Sequence, residues 1–510
     1  MTRAILLLIV TITTVFGQKS DYRPPTFPDS ERAQRVLATR PFVESMFREY
    51  MEKQHMPGLV YGVVLDGKLL YSGGFGFTNL EKKYAADATS MFRIASMSKS
   101  FTALAILQLR DAGKLELDEP ASKYIPEMKK LRLLTSDAPV ITIRHLLTHG
   151  SGLPEDNAWG DRQLADPDAE LRKLMADGPS FSNTPGVEYE YSNVGFALLG
   201  QIVQTVSGMS FDAYTKEHIF KPLGMHNTVW EYTKAPTQKL ALGYSWGNDA
   251  YQNIPLLHHG SYGAMGGLIT SIEDLAKYVF MHLDAWPPRS EADAGALKRS
   301  SLREMHHPWR FNRLNARFRY PNGRECAIAS AYAYGLTWTQ DCEGRVMVGH
   351  SGGLPGFGSN WTMMPQYGLA VMSFDNRTYG GTSGLNVTIL DSILTVTDLQ
   401  PMKLPPSDIL KRRMQELIRF LPDWKEAESS GLFAENFFLD SPIEDLRKWT
   451  KIPFEKAGKI IGVKEIVPEN QLRGTFIMEG ETMNVSVFFT LTPEPTPLFQ
   501  VVRLRNLEKK

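Results

Sequence analysis

The sequence has little of three things that would point to particular partners: surplus charge, cysteine and long apolar runs. The 510-residue chain carries 56 Lys and Arg residues against 56 Asp and Glu residues, so its formal net charge is zero. A balanced charge without dense basic runs lacks the electrostatic footprint of a nucleic-acid-binding protein, and we expect no nucleic-acid partner. Beyond residue 17 no stretch of about 18 apolar residues occurs, which predicts no further membrane span.

Cysteine is scarce as well. Cys326 and Cys342 are the two cysteines of the chain, too few for a metal site built on thiolates. They flank a strand-like segment, and they fit either one disulfide across a hairpin or two free thiols. His145 and His149 stand at i and i+4 but lack the glutamate of H-E-x-x-H, so core packing and a turn explain them better than a metal. We expect no metal and no cofactor.

The N-terminal segment predicts export. Residues 1–17 contain one basic residue, Arg3, and then an apolar run that is too short to span a bilayer and ends at the small residue Gly17. This pattern is typical of a secretory signal peptide, and an uncut N-terminal anchor is the alternative. We therefore expect a secreted or periplasmic protein with no membrane span after removal of the signal.

The rest of the chain divides at a proline-rich segment, LQPMKLPPSD. This composition predicts a linker over residues 398–407 between two folded units. The first unit is a large domain over residues 18–397, and the second is a small α+β accessory domain over residues 408–510. No chemistry is concentrated in the second domain.

Patterns in the large domain predict an α+β fold. Two strand-like runs joined through Asp66 and Gly67 predict a β-hairpin, and the apolar segment Ser96–Leu109 predicts a buried helix. Strand-like runs return between Ala331 and Phe374, and a helix over Gly384–Val396 follows. This order predicts one antiparallel sheet that is shared by both ends of the domain.

Ser96 and Lys99 form an S-x-x-K pattern at the predicted start of the buried helix. Residues three apart lie on one face of a helix, so the hydroxyl and the amine are close enough to exchange a proton. The helix N-terminus favours an oxyanion at Ser96, and burial of Lys99 favours a neutral amine that acts as a base. An N-capping serine with a solvated lysine is the ordinary structural explanation of so short a pattern.

Two further segments supply polar groups. Tyr191 and Asn193 point to the same side of an extended chain, so a phenol and an amide would project together into a cleft. The other segment consists of His350, Ser351, Gly352 and Gly353, at the end of a strand-like run. Its small residues leave backbone N–H groups open to a substrate along the strand edge.

The same stretch, GHSGG, also fits the G-x-S-x-G nucleophile elbow, with Ser351 as the nucleophile. The elbow requires a strand, a tight turn and then a helix. A glycine-broken segment and another strand-like run follow Gly353 instead. We therefore favour Ser96 as the nucleophile.

In this order, the three motifs resemble those of serine β-lactamases and penicillin-binding proteins, specifically the class C β-lactamase-related branch. Connecting segments such as ITIRHLLTHGSGLP and GAMGGLITSIEDLAKY resemble the same family, so the likeness covers roughly residues 40 to 397. The resemblance implies a β-lactamase/transpeptidase-like domain, in which an antiparallel sheet is flanked by helices and accompanied by a helical region. The C-terminal part is similar to the small accessory domains that follow such catalytic domains.

The resemblance also implies roles for the site residues. Ser96 would be the acylated nucleophile, Lys99 and Tyr191 would share the role of general base, and Asn193 would bind the substrate amide and the lysine. Backbone N–H groups of Ser96 and Gly353 would form the oxyanion hole, each donor contributing about 10² to 10³ in rate. The segment from His350 to Gly353 would bind the substrate.

These expectations describe an exported serine hydrolase that forms an acyl-enzyme at Ser96 and cleaves an ester, an amide or a D-amino-acid peptide bond. His350 stands where β-lactamases and transpeptidases carry lysine, and a neutral imidazole weakens recognition of a substrate carboxylate. An esterase or peptidase therefore ranks above a D,D-carboxypeptidase, and β-lactamase activity ranks last. The substrate would be a small molecule or a peptide, with cell-wall peptide as one candidate. A catalytically silent scaffold or binding protein of the same fold is the alternative.

Overall fold

The computed structural model describes residues 22–320 and 322–509. The predicted signal peptide, residues 1–17, lies outside the described residues. The described chain forms two compact units, one over residues 27–402 and the other over residues 22–26 and 403–509. The boundary between Met402 and Lys403 falls within the segment for which the sequence predicts a linker.

The larger unit is built on a nine-stranded antiparallel sheet. Its strands, including two short pairs outside the sheet, are β1 (Gly58–Leu65), β2 (Lys68–Asn79), β3 (Tyr84–Ala85), β4 (Phe92–Arg93), β5 (Gly243–Gly247), β6 (Ala250–Ile254), β7 (Ile269–Thr270), β8 (Arg310–Asn315), β9 (Ile328–Tyr332), β10 (Thr337–Asp341), β11 (Val346–Leu354), β12 (Phe357–Met364) and β13 (Leu369–Asp375). The sheet has the order β3-β2-β1-β13-β12-β11-β10-β9-β8. Strand β1, from the start of the unit, pairs with β13, from its end, which confirms the predicted sharing of one sheet.

The first hairpin forms where the sequence predicts it. Asp66 and Gly67 connect β1 to β2, and both have positive φ angles, 49° and 77°. Two consecutive residues of positive φ make the tight turn whose twist matches that of the flanking strands, and Asp-Gly is a preferred pair for it.

Helices cover both faces of the sheet. They are α1 (Arg32–Ala38), α2 (Arg40–Lys53), α3 (Ser98–Asp111), α4 (Ile143–Leu147), α5 (Asn157–Gly160), α6 (Asp168–Asp177), α7 (Asn193–Ser207), α8 (Phe211–Thr215), α9 (Lys221–Leu223), α10 (Gly263–Gly266), α11 (Ile272–Asp284), α12 (Arg299–Met305) and α13 (Ser383–Thr397). Alternate side chains of β1 enter different cores: Tyr61 and Val63 pack with α1, α2 and α13, whereas Val60 and Val64 pack with α3, α7 and α11. Burial on both faces explains why β1 is apolar throughout.

Helix α3 is the central helix of the larger unit. Every side chain from Ser98 to Leu107 is buried, as its apolar sequence predicts. The helix begins two residues later than the prediction, because a 3₁₀ turn over Ala95–Met97 precedes it. Of the described helices, no single one is long and apolar enough to cross a membrane. Together, α7 and the helical segment Phe211–Leu223, which are bent by 77° relative to each other, meet the length and composition criteria.

The two cysteines are bonded to each other. Cys326 precedes β9 and Cys342 follows β10, and these strands form an antiparallel hairpin. Of the two possibilities left open by the sequence, the structure therefore has the disulfide across the hairpin.

The smaller unit combines helices with its own antiparallel sheet. Its elements are α14 (Asp408–Phe420), α15 (Phe437–Asp440), α16 (Ile443–Ala457), β14 (Ile460–Val463), β15 (Val467–Asn470), β16 (Arg473–Gly480), β17 (Asn484–Leu491) and β18 (Phe499–Leu507). The strand order is β14-β16-β17-β18, with β15 also paired to β16. Trp424, Phe476 and Phe489 lie in its core. These elements form the small α+β arrangement that the sequence predicts.

Candidate active site

The side chains of Ser96 and Lys99 meet at the start of α3. Lys99 Nζ donates a hydrogen bond to Ser96 Oγ at 3.0 Å. Ser96 is 8% exposed, whereas Lys99 is completely buried, so the hydroxyl faces the cleft and the amine lies behind it. Ser96 belongs to the 3₁₀ turn and not to the first turn of the helix, which corrects the predicted place of this residue.

Two uncharged oxygens complete the surroundings of the Lys99 amine. Its Nζ donates to Asn193 Oδ1 at 2.7 Å and to the carbonyl oxygen of Met265 at 3.0 Å. Burial lowers the pKa of Lys99 to about 7, and the more distant carboxylates of Asp161 and Asp156 oppose this shift. A neutral amine is thus available near neutral pH, which a base that accepts the Ser96 proton requires.

Asn193 is held by the N-terminus of α7. It is the first residue of that helix, after the N-cap Ser192, so the predicted extended segment ends one residue earlier. The Asp156 carboxylate accepts hydrogen bonds from the backbone N–H groups of Asn193 and Val194 at 2.6 and 2.9 Å. A carboxylate at a helix N-terminus satisfies unpaired N–H groups and the helix dipole, and it fixes the position of the amide that contacts Lys99.

Tyr191 reaches the same amine from the other side. Lys99 Nζ lies 4.8 Å from the centroid of the Tyr191 ring. Burial raises the pKa of the Tyr191 hydroxyl well above its usual value, although a hydrogen bond with Ser96 acts in the opposite direction. The ring packs against His149 at 4.2 Å between centroids, and His149 Nδ1 accepts a hydrogen bond from the Ser192 N–H at 3.1 Å. Tyr191 is therefore protonated at neutral pH and suited to pass a proton on.

The segment from His350 to Gly353 lies inside strand β11. The pairing of β11 with β10 ends at Gly349. Beyond Gly349, one edge of β11 pairs with β12, and no strand among the described residues pairs with the other edge. Ser351 is exposed and stands within the strand, with no turn and helix after it. GHSGG thus lies within an edge-exposed part of strand β11, and this excludes a nucleophile elbow at Ser351.

Gly352 brings this strand against the turn that carries Ser96. A Cβ at Gly352 would lie 2.2 Å from the carbonyl oxygen of Ile94 and 2.9 Å from Ala95 Cβ. Ser359, on the neighbouring strand, donates a hydrogen bond to the same Ile94 oxygen at 2.7 Å. Close backbone contact brings Ser96 near Gly353, as an oxyanion hole formed by their N–H groups requires.

The surroundings of His350 favour its uncharged form. Its Nδ1 donates to the carbonyl oxygen of Ser351 at 2.5 Å, so its Nε2 accepts the hydrogen bond of the Tyr332 hydroxyl at 2.9 Å. Burial lowers the pKa of His350 to about 3. At neutral pH His350 therefore offers no cation to a substrate carboxylate.

The sequence prediction missed Asp156, Asp161, Met265 and Tyr332. Asp156 and Asp161 flank the short helix α5, in a segment for which the sequence predicts no site residue. Asp161 is 1% exposed, and its Oδ2 accepts a hydrogen bond from the Tyr379 hydroxyl at 3.0 Å. No local motif marks these residues, because each acts on Lys99 or Tyr191 through the tertiary fold.

His145, in α4, and His149, two residues beyond its end, both have structural partners. His145 Nδ1 accepts a hydrogen bond from the Thr142 N–H in the N-terminal cap of α4, and His149 packs against Tyr191. Within residues 22–320 and 322–509, no group of three His, Cys, Asp or Glu residues is arranged to hold a metal ion.

The pKa of Lys99 predicts a pH dependence. Deprotonated amine accumulates as the pH rises through about 7, so kcat/KM should increase with pH and reach a plateau above that midpoint. In Asp161→Asn a negative charge that raises the Lys99 pKa is removed, and the midpoint should move to lower pH. The matched control Asp166→Asn, on the same loop, should leave the midpoint in place. If the midpoint is the same in the wild type, Asp161→Asn and Asp166→Asn, the rise of kcat/KM with pH does not report the titration of Lys99.

Comparison with known proteins identifies the family. The sequence matches the family model described as Beta-lactamase over residues 43–391. The chain belongs to the beta-lactamase family. This is a family of serine hydrolases that includes penicillin-binding-protein-like members, as the three motifs predict.

Within the beta-lactamase family, the relatives of this chain include bacterial proteins and a fungal protein. Protein flp of Staphylococcus aureus (strain MW2) is 30% identical over 349 residues, which are 66% of this chain and 63% of flp. The matched part thus spans less than two thirds of the length of flp. The unguisins hydrolase ungD' of Aspergillus campestris (strain IBT 28561) is 27% identical over 388 residues, which are 73% of this chain and 69% of the hydrolase.

Solved structures show the same fold. The octameric penicillin-binding protein homologue from Pyrococcus abyssi aligns with a TM-score of 0.56 and 22% identity, covering 91% of this chain and 99% of that chain. The penicillin-binding protein from Bacillus halodurans aligns with a TM-score of 0.54 and 24% identity, covering 68% and 99%. These similarities confirm the β-lactamase/transpeptidase-like fold.

Proposed function

We propose that this chain is an exported serine hydrolase that is acylated at Ser96 and cleaves ester, amide or D-amino-acid peptide bonds. The observation that carries the proposal is the 3.0 Å hydrogen bond between Lys99 Nζ and Ser96 Oγ. The amine is fully buried, and its three hydrogen-bond partners are uncharged. Burial of an amine without a carboxylate in contact costs stability, and groups with pKa values shifted by burial cluster at functional sites. This arrangement is also the one that activates a serine.

The proposed reaction has two steps. Lys99 takes the Ser96 proton, directly or through the Tyr191 hydroxyl, while Ser96 Oγ bonds to the substrate carbonyl carbon. The bond from that carbon to the leaving group then breaks, and the leaving group takes the proton. Water adds to the acyl-enzyme and gives its proton to the same base, and release of the acid restores the Ser96 hydroxyl.

The neutral His350 guides the choice of substrate. Without a cation at this position, esters and peptides that need no carboxylate recognition rank above D,D-carboxypeptidase substrates, and β-lactam hydrolysis ranks last. The free edge of β11 fits an extended peptide, and a cell-wall peptide is one candidate. The name of the relative ungD', an unguisins hydrolase, supports hydrolysis as the class of reaction. Export rests on the predicted signal peptide.

Covalent labelling tests the proposal. The mature protein is treated with a fluorophosphonate and, separately, with a penicillin, and intact masses are measured for the wild type, Ser96→Ala and Ser351→Ala. We expect a fluorophosphonate adduct on the wild type and on Ser351→Ala, and none on Ser96→Ala. Adducts with penicillin would indicate closeness to cell-wall substrates. Failure of both reagents to modify the wild type would refute the acyl-enzyme and favour the scaffold.

A further inference from the structure

His149 is a buried residue with a strained backbone, two residues beyond the end of α4. It is 1% exposed, and its φ angle is 53°. A helix often ends with a residue in this left-handed conformation, but glycine and asparagine adopt it with less strain. The end of α4 therefore does not explain an imidazole at this position. Strained residues cluster at functional sites, and His149 adjoins the candidate active site through Tyr191.

His149 fixes the chain on both sides of Tyr191. Its carbonyl oxygen accepts a hydrogen bond from the Glu190 N–H at 2.8 Å. Its Nδ1 accepts a second one from the Ser192 N–H at 3.1 Å. One residue thus binds the backbone immediately before and immediately after Tyr191, and this determines where the Tyr191 side chain leaves the backbone.

The imidazole of His149 also packs against the Tyr191 ring, with 4.2 Å between their centroids. Its own position is fixed by Phe196 and Tyr332, whose ring centroids lie 5.1 and 4.4 Å from it. These contacts restrict movement of the Tyr191 ring. The Tyr191 hydroxyl shares a hydrogen bond with Ser96, and a proton relay requires that this distance be kept.

His149 makes these contacts as an uncharged ring. Because its Nδ1 accepts the Ser192 N–H, the ring proton lies on Nε2, which is buried and has no hydrogen-bond partner among the described residues. Burial, together with the charge of Lys99, holds the pKa of His149 well below its usual value. An unpaired buried N–H is costly, and a leucine would avoid it. What leucine lacks is the acceptor for the Ser192 N–H, which points to this hydrogen bond as the reason for an imidazole.

We propose that His149 is a positioning residue for Tyr191, and that it holds the phenol where its hydroxyl passes a proton to the leaving group. In this step the bond from the carbonyl carbon to the leaving group breaks, and the leaving group takes the Tyr191 hydroxyl proton. Tyr191 Oη takes a proton from the Lys99 ammonium, so the phenol is restored and the amine becomes neutral. The inference rests on the proposed acyl-enzyme at Ser96. It makes His149 most important for substrates with strongly basic leaving groups, which are alkyl esters and amides.

Esters of one acid with different leaving groups test this role. The acetates of p-nitrophenol, phenol and ethanol share the acyl group, and their leaving groups become more basic in that order. p-Nitrophenoxide departs without a proton, whereas ethoxide needs one. His149→Leu fills the space but offers no acceptor to the Ser192 N–H. We expect it to lower the ratio of kcat/KM for ethyl acetate to that for p-nitrophenyl acetate by about tenfold or more, and Tyr191→Phe to lower the same ratio.

Three further variants separate positioning from packing. His149→Asn should keep the ratio near that of the wild type, because asparagine tolerates a positive φ and its Oδ1 lies where His149 has Nδ1. His149→Leu combined with Tyr191→Phe should have the same ratio as Tyr191→Phe alone, because His149 acts through Tyr191. The matched control His145→Leu removes the other nearby histidine that accepts a backbone N–H, and it should leave the ratio unchanged. Thermal unfolding of each variant is measured beside its rates.

The outcomes distinguish this inference from the proposed function. If Ser96 is labelled by fluorophosphonate but His149→Leu or Tyr191→Phe keeps the wild-type ratio, the positioning role is refuted and the acyl-enzyme stands. A ratio in the combined variant below that of Tyr191→Phe has the same meaning. Should His149→Leu fail to fold, His149→Asn decides, because a folded His149→Asn protein with the low ratio of Tyr191→Phe refutes the role and a wild-type ratio supports it. If Ser96 is not labelled and no ester is hydrolysed, both proposals are refuted.

Discussion

Replacement of Lys99 by methionine should lower kcat/KM by about 10²- to 10⁴-fold, the range that a general base contributes. Methionine has an unbranched side chain that fills the buried space, but it cannot accept the Ser96 proton. The Tyr191 hydroxyl cannot replace the amine, since burial raises its pKa and keeps it protonated. The rise of activity with pH through about 7 should disappear together with the rate, because the titrating amine is gone.

Matched measurements separate a catalytic effect from unfolding. Lys99→Met leaves Asn193 Oδ1 and the Met265 carbonyl without the donor they share, so thermal unfolding of each variant is measured beside its rate. The control Lys114→Met changes an exposed lysine just beyond α3 and should keep both rate and pH profile. If Lys99→Met is folded and has the wild-type rate, Lys99 is not the general base.

Local patterns predict much of this fold. The Asp66-Gly67 turn, the apolar segment that becomes α3 and the strand-like runs that become β9 to β13 each depend on neighbouring residues in the sequence. The S-x-x-K contact is local as well, because residues three apart along a helical turn meet wherever the chain folds that way. These features could be predicted because turn chemistry and periodicity act over a few residues.

Tertiary packing determines the rest of the site. The 3₁₀ turn at Ser96 depends on Gly352, which lies more than 250 residues further along the chain and allows β11 to touch Ile94. Asp156 fixes Asn193 by capping α7 from a loop that has no periodic pattern of its own. Local patterns carry no information on such contacts.

Substitution of Gly352 by alanine should reduce kcat/KM by about 10²-fold or more. The new Cβ would lie 2.2 Å from the Ile94 carbonyl oxygen, and that oxygen is backbone, so the Ser96 turn or β11 must move. A shift of about 1 Å between a nucleophile and its oxyanion donors costs about 10²-fold. The loss should fall mainly on kcat, because the interactions that are lost form in the transition state.

Two glycines nearby provide a graded comparison for Gly352→Ala. At Gly353 the added Cβ would meet the Tyr379 side chain at 3.1 Å. This ring is half exposed, and a shift of a few tenths of an ångström relieves the contact, so the loss should be smaller. At Gly381 the added Cβ would meet nothing within 4 Å, and kcat/KM should not change. Thermal unfolding is compared for all three variants before their rates are measured. We expect the loss of kcat/KM to be largest for Gly352→Ala, smaller for Gly353→Ala and absent for Gly381→Ala. If Gly352→Ala is folded and as active as Gly381→Ala, then contact between β11 and the turn does not position Ser96, and the oxyanion hole must be formed by other donors.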